Sequence, residues 1–326
     1  MKDTQAQPIV EIEDLRVTFP QMDGSVRAVR GVSLALYPGE SLGVVGESGS
    51  GKSVSWMAVM RLLRAPPAEV EAGRLRLAGI EVMQARREEL TELRGRAAAM
   101  IFQDPMTAFD PVFTIGHQIV ETIRAHRATS KRVARAEALD LLERVEIRNA
   151  EAILDSFPHQ LSGGMLQRAM IAMALSCRPQ VLIADEPTTA LDVTVQAQIL
   201  QLIKDLQDEM GMGLVMITHD LGVVAETVDR VVVMYGGKVM EEAAVVDLFE
   251  DPRHPYTRAL MVSIPGQDGG RRRLTEIPGA SPDPSDPPTG CPFHPRCTQA
   301  DAQCAAEEPP MVALGPGRRA ACWRLT

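Results

Sequence analysis

Residues Gly46 to Ser53 read GESGSGKS, which fits the pattern G-x-x-x-x-G-K-[ST]. Each residue type has a physical task in such a loop. The glycines let several backbone N–H groups converge on one anion, Lys52 reaches β- and γ-phosphates, and Ser53 offers a hydroxyl to Mg²⁺. A helix starting near Gly51 adds its positive N-terminal end. Glu47, Ser48, Gly49 and Ser50 complete the cradle as candidate phosphate-binding residues. The loop follows Ser41-Leu42-Gly43-Val44-Val45, a short apolar run that reads as a buried strand. A strand before and a helix after are the context that separates a phosphate cradle from an ordinary glycine turn.

A second carboxylate-bearing element narrows the chemistry. Val181 to Ala184 reads as a buried strand that delivers Asp185 and Glu186 at its C-terminal end, where open α/β sheets bind ligands. Asp185 suits the Mg²⁺ shell and Glu186 is placed to orient or deprotonate a water; a helix-capping acidic pair is the alternative. Leu161 to Arg168 reads LSGGMLQR, and Ser162, Gly163 and Gly164 precede a helix expected from Met165 to about Cys177. They form a second anion-binding helix start. One nucleotide cannot use both if they lie on separate lobes. Two chains packed head to tail can, each offering its serine-glycine loop to the nucleotide of the other.

With these motifs in this order the sequence resembles the ABC ATPase family, whose defining signature is LSGGxxQR, over roughly residues 8 to 260. The resemblance implies an α/β nucleotide-binding domain: a parallel sheet core, an antiparallel β subdomain and a helical insert at about 93–176. It implies ATP and Mg²⁺ as ligands. Phe19 is then similar to the aromatic that stacks on adenine, with a strand core residue as the alternative. Gln103, in MIFQDP, is similar to the glutamine that senses the γ-phosphate and Mg²⁺. Ala190-Leu191-Asp192 resembles the loop that crosses to a partner chain, and His219, in ITHD, the switch histidine. The implied mechanism is in-line attack of water on the γ-phosphate with Glu186, His219, Lys52 and Gln103 as catalytic groups, Ser53, Gln103 and Asp185 holding Mg²⁺, and a partner's signature helix offsetting charge. His117, His126 and His159 read as structural, and Cys177 as a small core residue.

The elements that must position these groups follow from periodicity. Ile9 to Phe19 alternates in strand fashion, and a β-rich stretch follows from Val26 to Leu36. Ala134, Ala138, Leu141, Leu142 and Val145 recur at helical spacing. Gln196 to Met210 reads as a helix, Leu214 to Thr218 as a buried strand, and Val231 to Tyr235 with Lys238 to Met240 as a hairpin turning at Gly236-Gly237. Strands alternating with helices indicate a parallel sheet, here interrupted by an all-helical stretch. From Pro265 on, Gly, Pro, Asp and Ser dominate, with Arg271-Arg272-Arg273 in a linker-like segment. The expected division is 1–262 for the ATPase domain and 263–326 for a C-terminal extension.

A net charge of −9 over 326 residues argues against nucleic acid as partner. No apolar run approaches the ~20 residues that cross a bilayer, and the N-terminal stretch has no signal-peptide character. Membrane contact is therefore expected through partners only.

The tail narrows the family further. His254 to Leu260, HPYTRAL, followed by a Pro-rich segment and CPFHPRC, resembles the extension of oligopeptide and dipeptide importer ATPases, a group that also includes nickel importers. The resemblance implies uptake of di- or oligopeptides, with nickel or another small solute as the alternative. A non-transport ABC ATPase acting on nucleic acid or ribosomes is a distant alternative. It also implies a second, different ATPase subunit, two membrane permeases, an extracytoplasmic solute-binding protein, and a place at the cytoplasmic face of the membrane. Cys291, Cys297, Cys304 and Cys322 are spaced C-x5-C-x6-C-x17-C. Four thiolates suit tetrahedral zinc or an iron–sulfur cluster, and the close C-x2-C pairs usual in zinc ribbons are missing. The family resemblance implies a [4Fe–4S] cluster, with Zn²⁺ or no metal at all as the alternatives and His294 as a spectator.

Overall fold

The computed structural model describes residues 7–189, 191–263 and 277–325. Ala190, in the loop expected to cross to a partner chain, and Arg271 to Arg273, in the segment expected to be a linker, lie outside the described residues. The chain divides into two compact units, one of residues 1–9, 37–39 and 77–215, the other of 10–36, 40–76 and 216–326.

The second unit holds the phosphate loop and the extension. Strands Val10–Gln21 and Gly24–Leu36 pair antiparallel, with Val10, Leu15 and Val17 and opposing Val32 and Leu36 buried. Strand Ser41–Val45, buried along its whole length, runs parallel to Arg230–Tyr235. Continuous burial on both faces is why it reads as an unbroken apolar run. Arg230–Tyr235 turns back into Lys238–Ala244 through Gly236 and Gly237, at φ 53° and 78°. Two successive positive φ values are what a tight primed hairpin turn needs. The expected hairpin is therefore present, with its second strand longer than the sequence indicated.

The tail adds an element that composition concealed. Arg318–Ala320 pairs antiparallel with Lys238–Ala244 and in turn with Val312–Gly315. Residues of the extension thus extend a sheet past Lys238–Ala244, pairing at Glu241 and Glu242 and leaving Val312–Gly315 as the new edge strand. Glu241 is fully buried and accepts hydrogen bonds from the backbone N–H groups of Arg253 and His254, both at 2.8 Å.

The first unit is rich in helices. Ala98–Ile101 runs parallel to Val181–Asp185. Helices Ile115–His126, Lys131–Arg144, Gly163–Leu175 and Val193–Met210 belong to the same unit. Ala134, Ala138, Leu141, Leu142 and Val145 are all buried, so the apolar stripe faces the core. The two longest expected boundaries shift by a few residues. The helix expected from Met165 begins at Gly163, and that expected from Gln196 begins at Val193, because Ser162 and Asp192 cap the earlier start. Among the described residues no helix is long and apolar enough to cross a membrane.

Candidate functional site

The predicted site residues fall into groups held by each unit. In the second unit the loop leaves the buried strand at Gly46 and enters helix Lys52–Val59 at Gly51. Gly46 has φ 152° and a Cβ there would lie 2.1 Å from the Met234 carbonyl oxygen. Gly51 has φ 95° and a Cβ there would lie 2.4 Å from that of Ala28. Only glycine fits either position. Lys52 is 6% exposed and its Nζ donates to the carbonyls of Gly46 at 2.7 Å and Glu47 at 2.9 Å and to Ser50 Oγ at 3.4 Å. The ammonium group thus arches over its own loop, where phosphate oxygens would meet it. Ser48 and Gly49 are exposed and Ser53 is half-buried.

Phe19 lies in strand Val10–Gln21 opposite Val26 and is half-buried. His219 is exposed directly after strand Gly213–Thr218, and Asp220 caps the next helix with its carboxylate accepting from Gly222 N–H at 2.8 Å.

In the first unit Asp185 ends a buried strand and is itself 6% exposed. Glu186 follows at φ 47°, a left-handed conformation that costs a non-glycine residue about 1–2 kcal/mol. Its Oε2 accepts two hydrogen bonds at 2.9 Å, from Gln103 Nε2 and from Thr189 Oγ1. Gln103 and Glu186, 83 positions apart in sequence, are therefore brought together by the fold. Thr189 is a contact that motif reading missed; its only sequence signal is its place three residues after Glu186. Backbone strain at a doubly held carboxylate marks a group whose aim matters.

Ser162 caps helix Gly163–Leu175, its Oγ accepting from Met165 N–H at 3.4 Å, and Ser162 and Gly163 are exposed. Gly164, next in the same turn, is half-buried. Asp192 caps helix Val193–Met210 by accepting from Val195 N–H at 3.0 Å. The histidines expected to be structural have packing partners: His117 stacks on Phe113 and His159 on Phe157, and burial lowers the pKa of His126. Cys177 is buried and burial raises its thiol pKa, in keeping with a core role.

HPYTRAL does structural work for the loop. His254, 1% exposed, accepts from Tyr256 N–H at 3.0 Å and so caps helix Pro255–Val262. That directs the buried Tyr256 at the phosphate loop, where its hydroxyl accepts from Glu47 N–H at 3.0 Å. Burial holds His254 neutral, pulling its pKa down to about 3, and pushes the Tyr256 phenol up.

Cys291, Cys297, Cys304 and Cys322 are free thiols that line one cavity of about 10 Å³. Cys291 N–H donates to the Cys304 carbonyl at 2.8 Å, which pins the two strands of chain together. Burial pushes the Cys291 thiol up to about 11 and raises Cys297 and Cys322 as well. A His294 ring nitrogen pairs with the Cys291 carbonyl at 2.9 Å, consistent with a spectator. Four soft donors on one cavity match the chemistry of a thiolate-bound metal. As they stand, however, no three His, Cys, Asp or Glu side chains among the described residues form a metal-binding group. The iron–sulfur and zinc expectation therefore rests on donor type and convergence, not on a formed coordination sphere.

Residues 29–189 match the ABC transporter family and residues 240–304 match the oligopeptide/dipeptide transporter C-terminal region. The chain is 49% identical to a probable peptide ABC transporter ATP-binding protein of Sinorhizobium fredii, over 98% of this chain and 96% of the relative. The chain belongs to the ABC transporter ATP-binding family. A dipeptide transport ATP-binding protein of Escherichia coli is 46% identical over 96% of both chains. Among solved structures, a dimeric ATP-binding cassette in a post-hydrolysis state with ADP and Pi is 29% identical with a TM-score of 0.65, covering 72% of this chain and 98% of that one. Membership fixes the α/β cassette fold and makes this ABC subunit an ATP-binding, ATP-hydrolysing protein.

Proposed function

We propose that this ABC subunit powers the uptake of di- and oligopeptides through partner permeases. The observation that carries this reading is the match of residues 240–304 to the oligopeptide/dipeptide transporter C-terminal region. Full-length relatives named for peptide and dipeptide transport support it. The working division is an ATPase domain at 1–262 with its helical insert and an extension at 263–326. The subunit sits peripherally at the cytoplasmic face, beside a second ATPase subunit and beneath two permeases that receive solute from an extracytoplasmic binding protein.

Gly46 to Ser53 bind the phosphates of ATP and Phe19 its adenine. Lys52 offsets charge on the β- and γ-phosphates. Ser53, Gln103 and Asp185 would hold Mg²⁺, and their hydroxyl, amide and carboxylate oxygens are the hard donors that this ion takes. Bound there, Mg²⁺ supplies charge neutralisation to the phosphates. Glu186, held by Gln103 and Thr189, orients and accepts a proton from the attacking water. His219 contacts the γ-phosphate. Ser162, Gly163, Gly164 and Asp192 act on the nucleotide of the partner subunit.

Cys291, Cys297, Cys304 and Cys322 are the residues that would hold a [4Fe–4S] cluster, with Zn²⁺ as the alternative. Their shared cavity supports this assignment. Iron, acid-labile sulfide and zinc analysis of anaerobically purified protein tests it, and absence of all three refutes it.

The transport reading is tested with the complex reconstituted in vesicles and given labelled dipeptides, oligopeptides, glutathione or nickel. ATP-dependent peptide accumulation is expected. Accumulation of nickel alone would overturn the assignment.

A further inference from the structure

Glu47 poses an electrostatic problem. It is the second residue of the phosphate loop, and it places a carboxylate in a segment whose task is to receive anions. The structure answers that charge from the extension. Arg296 Nη1 donates to Glu47 Oε2 at 2.8 Å, with the arginine side chain 7% exposed and that of Glu47 24%. The Ser281 hydroxyl donates to the same oxygen.

The guanidinium is itself fixed before it meets Glu47. Arg296 Nε donates to the Pro278 carbonyl at 2.9 Å, Nη2 to the Ile277 carbonyl at 3.0 Å, and Nη1 also to Tyr235 Oη at 3.1 Å. Its planar fork reaches these partners at once, and a lysine ammonium could not. Below the loop, Tyr256 accepts the Glu47 N–H and packs against Tyr235 and Phe293 with ring centroids 4.5 and 5.2 Å away. The Glu47 carbonyl in turn accepts from Lys52 Nζ at 2.9 Å and from Ser50 N–H at 3.2 Å. A continuous chain of contacts thus runs from the cysteine-bearing CPFHPRC segment through Glu47 to the phosphate-reaching lysine.

We propose that the C-terminal extension sets the ATP affinity of this subunit through Arg296, a positioning residue that neutralises and pins Glu47 of the phosphate loop. Removing the guanidinium leaves a half-buried carboxylate uncompensated beside incoming phosphates and free to turn toward Lys52. The effect falls on binding, because Arg296 acts on the loop's charge and shape and not on the reacting water.

The inference rests on Gly46 to Ser53 being the ATP phosphate loop. ATP dissociation constants, and KM and kcat for phosphate release, are compared for full-length wild type, Arg296→Met, Arg296→Lys, Glu47→Gln and Glu47→Gln/Arg296→Met. Arg296→Met is expected to weaken ATP binding about 10-fold and raise KM in step, while kcat moves less than about 3-fold. Arg296→Lys falls between it and wild type. In the Glu47→Gln background the same Arg296→Met change costs little, since no charge is left to compensate. An equal loss in both backgrounds, or no loss in either, overturns the proposal. Where Arg296→Met melts too low to assay, Ser281→Ala reads the same coupling: a weaker rise in the ATP dissociation constant that vanishes with Glu47→Gln is expected, and no rise overturns it. Lys52→Ala separates the two readings. Wild-type ATP binding in that variant refutes the loop assignment itself, whereas lost binding there with no effect of Arg296 or Ser281 refutes only the present inference.

Discussion

Replacing Glu186 by glutamine tests the hydrolytic assignment with little structural disturbance. Gln has the same length and keeps one oxygen able to accept from Gln103 Nε2 and Thr189 Oγ1, both at 2.9 Å in the native protein. It also keeps a Cβ, so the strain at φ 47° is unchanged. What disappears is the charge and the capacity to take a proton. General base catalysis contributes about 10²–10⁴-fold, or roughly 2.7–5.4 kcal/mol of barrier. ATP binding should therefore stay within about 3-fold of wild type while turnover falls by at least about 100-fold. The control is Thr189→Val, which removes one hydrogen bond to Glu186 and nothing else. At about 0.5–1.5 kcal/mol for such a bond, turnover should fall roughly 2- to 13-fold. Phosphate release by the assembled transporter at saturating ATP measures both variants. Equal losses for Glu186→Gln and Thr189→Val, or a Glu186→Gln rate within 10-fold of wild type, would refute the idea that this carboxylate handles the water's proton.

Three further outcomes are expected. Gly46→Ala and Gly51→Ala should each destabilise the protein by more than about 2 kcal/mol and abolish ATP binding, since their new Cβ atoms would meet carbonyl oxygens at 2.1 and 2.4 Å. Gly49→Ala, at φ 76° with nothing within 4 Å, should cost only about 1 kcal/mol; thermal melts rank the three. Glu241→Ala should lower the melting temperature sharply, because the backbone N–H groups of Arg253 and His254 lose a buried acceptor at about 1–3 kcal/mol each. His254 predicts a pH dependence. Its folded pKa of about 3 lies below the unfolded value of about 6.5, so its contribution to stability is complete above pH 6.5 and declines as pH falls toward 3. Denaturant titrations from pH 7.5 to 4.5 should show a pH slope that is reduced in a folded His254→Gln variant, and an unchanged slope would count against this origin.

The residues of the nucleotide chemistry were legible because each motif is local. A glycine that cannot carry a Cβ, a lysine at fixed offset and an apolar strand ending in Asp185-Glu186 are constraints written within a few positions. The strand Ser41–Val45 and the Gly236-Gly237 turn were legible for the same reason. The tail was less so. Val312–Gly315 and Arg318–Ala320 are short and rich in Gly and Arg, and they become strands because the edge of Lys238–Ala244 offers them partners. The four cysteines were legible as a cluster, and their spacing alone could not say whether they form a coordination sphere.

By itself, then, the sequence determined the loop from Gly46 to Ser53, the acidic pair Asp185-Glu186 and the signature at Ser162, since their chemistry depends on backbone geometry over a few residues. Tertiary structure decided what holds them. Gln103 and Thr189 grip Glu186, and Tyr256, Ser281 and Arg296 grip Glu47 from 209, 234 and 249 positions away. Contacts at that separation leave no local periodicity in the chain, and only folding brings an arginine beside the carboxylate it neutralises.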